Sequence, residues 1–216
     1  MNIEVARSQM LGQQIRAWQV LDPRVLEILG KTPRERFVPA PYRDLAFADT
    51  PIPIGHDQAM MIPQIEGRLL QALQIESIDE VLEIGTGSGY LTACLAQLGA
   101  RVHSLDIFAD FIESARGKFA EQRIANIHAE VTDASGLITD ERYDVIAITA
   151  SLPALTGQFT DLLRPGGRLF AVIGHEPVME AQLVTRNADG TLVTENLFET
   201  CLAPLINVTS EVPFEL

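Results

Sequence analysis

The stretch Val81-Leu82-Glu83-Ile84-Gly85-Thr86-Gly87-Ser88-Gly89-Tyr90 places three glycines at alternate positions directly after an apolar run. A strand that ends in Gly-x-Gly turns sharply and lets the backbone approach a ligand, because no side chain stands in the way. Gly85, Thr86, Gly87, Ser88 and Gly89 are therefore candidate cofactor-binding residues. The dinucleotide fingerprint asks for its third glycine, or an alanine, one residue later, where this chain has Tyr90. Nicotinamide dinucleotides are disfavoured on that ground. Asp106 lies 21 residues beyond Gly85 at the end of the next apolar run, with Ile107 beside it. A carboxylate there accepts hydrogen bonds from both vicinal hydroxyls of a ribose, which fixes an adenosine without requiring a pyrophosphate. Asp133 and Ala134, in Val131-Thr132-Asp133-Ala134, stand where the following loop would overhang the adenine, although such an Asp suits a loop or helix cap equally well.

These residues need a parallel sheet to hold them, and the pattern from Asp79 onward supplies one. Short apolar runs alternate with longer amphipathic segments, the signature of strand-helix-strand units. The expected strands are Val81 to Ile84, Arg101 to Leu105, Ile127 to Val131, Tyr143 to Thr149 and Arg168 to Ile173. The expected helices are Tyr90 to Leu98, Phe108 to Gln122 and Leu155 to Leu163. Ala181 to Arg186 and Leu192 to Phe198 flank an Asp189-Gly190 pair, a strong hairpin signal that ends the sheet antiparallel. Before residue 78 the pattern differs. Met10, Leu11, Ile15 and Trp18, then Val25, Leu26 and Leu29 after Pro23, recur at helical spacing. Five prolines between Thr32 and Gln58 exclude continuous helix or central strand there and predict a loop-rich wrap. Pro63 opens a further helix with Ile65, Leu69, Leu70 and Leu73 on one face.

Together with Arg164-Pro165-Gly166-Gly167-Arg168 before the fifth strand, these features resemble a class I S-adenosylmethionine-dependent methyltransferase. Thr32-Pro33-Arg34-Glu35-Arg36-Phe37-Val38-Pro39, Ala46-Phe47-Ala48-Asp49, Pro51-Ile52-Pro53-Ile54-Gly55 and Ile84 to Tyr90 are further similar to the protein-L-isoaspartate O-methyltransferase family, a likeness running from about Gln9 to Gly174. The resemblance implies an α/β, Rossmann-like fold with a mostly parallel seven-stranded sheet, an antiparallel C-terminal hairpin and an N-terminal helical extension. Residues 1–77 would form the extension and 78–216 the cofactor-binding core. It also implies S-adenosyl-L-methionine as cofactor and an isoaspartyl carboxylate on a protein or peptide as substrate. Glu83, a charge inside an apolar strand and costly to bury unpaired, is assigned to the ammonium group of the cofactor's methionyl part through a bridging group or water.

The family carries a Gln-Thr-x-Ser-x-Pro segment whose serine lies in the active site, whereas this chain reads Gln58-Ala59-Met60-Met61-Ile62-Pro63. Met61 thus occupies the catalytic serine position, and a hydrogen bond to a charged group, worth about 1.5 to 3 kcal/mol, is absent. Alternatives therefore stay open: a small-molecule acceptor with a more apolar pocket, or cofactor binding without turnover. A carboxylate acceptor is ionised at neutral pH and needs no general base. A phenol, alcohol or amine would need one, and His56 is the candidate. His103 reads as a structural residue within its strand, and the sequence offers no partner for His128 or His175.

A formal net charge of −13 and a pI near 4.6 set the chain against a nucleic-acid partner, since a phosphate backbone is bound by Lys and Arg. With 47% hydrophobic residues the chain is too apolar for disorder. Cys94 and Cys201 are too few for a disulfide framework or a four-ligand zinc site and are expected as small buried hydrophobes; no metal is expected. The first ten residues lack the apolar core of a signal peptide, and no stretch reaches eighteen apolar residues. A cytoplasmic protein without a membrane partner is expected, with its oligomeric state left open.

Overall fold

A computed structural model describes residues 2–208 of the protein. Asn2 accepts hydrogen bonds from the backbone N–H groups of Glu4 and Val5 and so caps α1 (Ile3–Gln9). The chain continues as a π-helical turn, Met10–Ile15, and a 3-10 turn, Arg16–Trp18. The expected helical run at Met10 to Trp18 is thus wound, but it starts earlier and is irregular where Met10 and Ile15 turn into the core. Asp22 caps α2 (Pro23–Lys31), with Pro23 in the first turn and Val25, Ile28 and Leu29 buried. The proline-punctuated stretch holds two short 3-10 turns, Arg34–Arg36 and Ala40–Leu45. It then forms a small antiparallel hairpin of β1 (Ile52–Gly55) and β2 (Gln58–Met60). His56 and Asp57 at its tip both have left-handed backbones, φ 51° and 56°, which match the twist of a tight hairpin. Pro63 opens α3 (Pro63–Leu73), and its expected apolar face is buried.

The main sheet begins with β3 (Glu80–Ile84), followed by α4 (Tyr90–Leu98), β4 (Arg101–Asp106), α5 (Ala109–Glu121) and β5 (Ile127–Val131). The chain then enters β6 (Tyr143–Leu152), a short α6 (Gly157–Thr160), β7 (Leu163–His175), β8 (Val178–Arg186) and β9 (Leu192–Glu199). The seven strands lie in the order β5-β4-β3-β6-β7-β8-β9. Pairing is parallel from β5 to β7 and antiparallel from β7 to β9. The expected helix from Leu155 to Leu163 shrinks to one turn. Leu163 instead opens β7 by pairing with Tyr143, and Leu162 and Leu163 are buried beneath the sheet. Arg164-Pro165-Gly166-Gly167 lies within β7 as an irregularity, since pairing with β6 passes from Leu163 to Arg168.

One face of the sheet packs Val81, Val102, Val145 and Phe170 against α3, α4 and the N-terminal segments in a continuous core. The other packs Leu82, Leu105, Ile146 and Leu169 against Phe159, Leu162 and Tyr143. Each such buried Val, Leu, Ile or Phe contributes about 1.5 to 3 kcal/mol by leaving water. Cys94 is buried as expected, whereas Cys201 is exposed because it follows the edge strand β9. No helix among the described residues is long and apolar enough to cross a membrane. After β5 the chain returns to the opposite side of β3, so the loops after β3 and β6 diverge and leave a crevice at the strand ends.

Candidate active site

An open cleft of about 840 Å³, its solvent-facing mouth included, occupies that crevice. Gly85, Thr86, Gly87 and Ser88 form its floor at the end of β3. Gly85 (φ 100°) and Gly87 (φ 51°) both need the left-handed region that side chains disfavour. The Gly85 and Thr86 N–H groups bond the Leu105 carbonyl at 2.8 and 3.2 Å, which ties the loop to β4. Gly89 does not line the cleft; it precedes α4 at φ 83°, where a Cβ would stand 3.0 Å from both Ala115 and Phe119. Its role in the fold is close packing of the turn on α5.

Asp106, Ile107, Asp133 and Ala134 all line the cleft, brought together by the parallel pairing of β4 and β5. Asp106 is nearly buried, and its Oδ2 accepts the Gly87 N–H at 2.8 Å while Oδ1 accepts the Phe108 N–H at 3.0 Å. Burial raises its pKa, and these N–H donors pull the other way. A carboxylate offers about four acceptor positions, so acceptor capacity remains on both oxygens. Asp133 is more fully engaged. It caps the 3-10 turn Ala134–Gly136 through Ser135 N–H at 2.9 Å and accepts the Asn207 amide at 2.7 Å. The Ser135 and Asn207 bonds hold its carboxyl below the usual range.

Glu83 is set back from the cleft wall. Its Oε2 accepts from Thr92 at 2.5 Å and from Ser104 at 2.6 Å, and Ser104 Oγ lies 2.6 Å from Thr86 Oγ1 on the cleft floor. Any reach of Glu83 into the cleft therefore runs through Ser104 and Thr86. Burial pushes its carboxyl up to about 8, against the two hydroxyl donors, with Asp106 adding to the rise. Glu83 Oε1 is buried without a partner among the described residues.

Met60 ends β2, Met61 follows it, and both stand in the cleft wall with Ile54, Phe108 and Phe111. Met61 is placed by a pair that sequence reasoning missed. Arg34 is fully buried, donates from Nη2 to the Met61 carbonyl at 2.8 Å and from Nε to the Ala46 carbonyl at 2.8 Å, and forms an ion pair with Glu66. Its guanidinium also lies 4.6 Å from the Tyr90 ring centre. Burial pushes the Glu66 carboxyl up and Arg34 pulls it back. Arg34 stands in the Thr32 to Pro39 motif, where a charge among prolines was the available signal. Glu66 sits amid the apolar positions of α3 and carries none.

His56 does not line the cleft. It stacks on Phe108 with ring centres 3.9 Å apart, and its Nε2 lies 3.0 Å from both Asp110 carboxylate oxygens. The expected base is therefore already held by Asp110 behind the wall residue Phe108. The segment after β9 contributes Pro204, Leu205 and Ile206 to the cleft. It is laid there by hydrogen bonds of Ser151 N to Ala203 O and Leu205 N to Ser151 O, both 2.8 Å.

The sequence model of the protein-L-isoaspartate(D-aspartate) O-methyltransferase family matches residues 5–210. The chain belongs to this family. A protein-L-isoaspartate O-methyltransferase of Methanoculleus marisnigri is 39% identical over 202 residues, covering 93% of this chain and 91% of the relative. One from Trichlorobacter lovleyi is 35% identical over 206 residues, covering 95% of each chain. Among solved structures, a Plasmodium falciparum chain described as a protein-L-isoaspartate O-methyltransferase in complex with S-adenosyl-L-homocysteine superposes with a TM-score of 0.79 at 19% identity. It covers 95% of this chain and 98% of that one, a likeness of fold. The Rossmann-like class I methyltransferase architecture expected from the glycine loop is thus the architecture of the family, including the N-terminal segments that carry Arg34 and Met61.

Proposed function

We propose that the cleft binds S-adenosyl-L-methionine and that the protein methylates the carboxylate of isoaspartyl residues in proteins or peptides. The observation that carries this reading is the Asp106 carboxylate, fixed by two backbone N–H groups beside the glycine loop and facing a cleft whose far wall is the hairpin segment ending at Met61. The residues fit the cofactor. Gly85 and Gly87 keep the floor clear of side chains, Asp106 offers acceptors to ribose hydroxyls, and Ala134 with Asp133 suits an adenine. Thr86, backed by Ser104 and Glu83, offers a hydroxyl toward the methionyl end. When bound, S-adenosylmethionine supplies an electrophilic methyl group on a positively charged sulfur.

The chain's own contribution is alignment and exclusion of water. Met60, Met61, Ile54 and Phe111 wall the cleft with apolar surface, which strengthens the attraction between a carboxylate and a nearby cation. An isoaspartyl carboxylate is already ionised at neutral pH, so no side chain has to remove a proton, in keeping with His56 being held by Asp110. The Met61 side chain places a thioether at the position of the motif's serine. That apolar wall favours a second reading, a small apolar carboxylic acid as acceptor on the same scaffold.

Incubating the protein with methyl-labelled cofactor and an isoaspartyl peptide tests the proposal. A base-labile methyl ester on the peptide, absent from the matching aspartyl peptide, is the expected result. Met61→Ser should raise turnover about tenfold through a restored hydrogen bond. Tight cofactor binding with no peptide ester in either form would overturn the isoaspartyl reading and favour the small acid.

A further inference from the structure

Three side chains on the outer sheet edge, remote from the glycine loop, make an unexplained contact. His103 of β4 and His128 of β5 are register partners, and Glu130 follows two positions later on the same face. His103 and Glu130 are half-buried, whereas His128 is exposed. His103 Nε2 lies 2.9 Å from Glu130 Oε1, and His128 Nε2 lies 3.5 Å from Glu130 Oε2. All three ligand atoms fall within 4.8 Å of one another. Among the described residues Glu130 pairs with no lysine or arginine; Arg101, two residues before His103, is engaged by Glu80 at 3.0 Å.

The hydrogen bonds on the far side of His103 decide its tautomer. Tyr143 donates its hydroxyl hydrogen to Glu141 Oε2 at 2.6 Å, which leaves the phenol oxygen as an acceptor. His103 Nδ1 lies 2.7 Å from that oxygen, so Nδ1 carries a hydrogen and donates it. The neutral ring then points the bare lone pair of Nε2 at a carboxylate oxygen 2.9 Å away. Two acceptors at that distance repel unless a proton or a metal ion stands between or beside them. A histidine whose second nitrogen is bonded to an oxygen acceptor is the usual arrangement of a metal ligand, because that bond fixes the ring and raises its basicity.

We propose that His103, His128 and Glu130 form a binding site for a divalent transition-metal ion of the zinc type. Two imidazoles and one carboxylate suit such an ion, and the fourth position faces solvent. Tetrahedral bonds of about 2.0 to 2.1 Å place ligand atoms roughly 3.3 Å apart; the His103 and His128 nitrogens lie 2.9 and 3.5 Å from the two different oxygens of Glu130, near that value. Rotation of the exposed His128 ring closes the remaining gap. The ion would clamp the edge strand β5 to β4, the two strands that lead into Asp133 and Asp106. The sequence gives no hint of this, because the ligands are 25 and 27 residues apart and only the β4–β5 register joins them.

Titration of metal-free protein with zinc chloride, followed by calorimetry and by thermal unfolding, tests the site. The expected result is one zinc ion per chain and a raised Tm. His128→Ala, at an exposed position, and Glu130→Gln, which keeps the side chain's size, should each weaken binding by tenfold or more. Tyr143→Phe, which removes the acceptor for His103 Nδ1–H, should weaken it about tenfold. His56→Ala, at the other histidine-carboxylate pair, should leave binding unchanged, and magnesium chloride should give no binding. Absence of stoichiometric zinc binding overturns the proposal, as does zinc binding that survives His128→Ala or disappears with His56→Ala.

Discussion

A Cβ on Gly85 would overlap Thr149 Oγ1. That hydroxyl donates to the carbonyls of Ile84 and Gly85, at 3.0 and 2.9 Å, and so ties the end of β3 to β6 where β6 leaves regular pairing with β7. The bend that opens the cleft is thus built by two strands, with glycine required on one and a small hydroxyl on the other.

Gly85→Ala combines this overlap with an unfavourable φ of 100° and should cost about 2 to 4 kcal/mol of stability. Adding Thr149→Ala should return part of that loss, so the two changes should be non-additive by about 1 kcal/mol in urea unfolding. Strict additivity would mean the two residues do not meet.

Asp106→Asn replaces one acceptor oxygen with an amide that faces the Gly87 or Phe108 N–H. Calorimetry with S-adenosyl-L-homocysteine should show affinity falling by about 10- to 100-fold, the worth of a hydrogen bond to a charged group. Asp133→Asn should cost less than about fivefold, because Asp133 is exposed and already engaged by Ser135 and Asn207.

Glu83 titrates near 8 in the folded protein against an ordinary value of 4.5. Between those values the folded state holds a proton that the unfolded chain has lost, so stability from this group is complete below about pH 4.5 and declines as pH rises to about 8. Glu83→Gln removes that dependence. The stability of the variant relative to the parent should climb by roughly 3 to 5 kcal/mol across this window and then level off. A pH-independent difference in denaturant unfolding would show that Glu83 is ionised throughout.

Arg34→Met leaves Glu66 buried and unpaired and deprives the Met61 carbonyl of its donor. Thermal and urea unfolding should register a loss of about 3 to 5 kcal/mol. The double change Arg34→Met with Glu66→Met should recover most of it, since the uncompensated charge is then gone.

Much of the cleft was legible because it is local. Alternate glycines after an apolar run, and an acid at the end of the next, are features of short segments, and the structure brings Gly85 to Ser88 and Asp106 to one wall. Met61 also comes to the cleft from its motif position. His56 was not legible, because its availability depends on Asp110 and Phe108, 54 and 52 residues away. The Arg34–Glu66 pair and the Pro204–Ile206 segment were missed for the same reason: each acquires meaning only from a contact across the fold.

By itself the amino-acid order determined the alternation of strands and helices, the antiparallel ending and the glycine turn, since periodicity and backbone freedom act over a few residues. The tertiary structure alone decided that Leu163 extends a strand, that Glu83 reaches the cleft only through Ser104 and Thr86, and that His103 and His128 share a register. Those outcomes depend on burial and on pairing between distant segments, and neither quantity exists until the chain has folded.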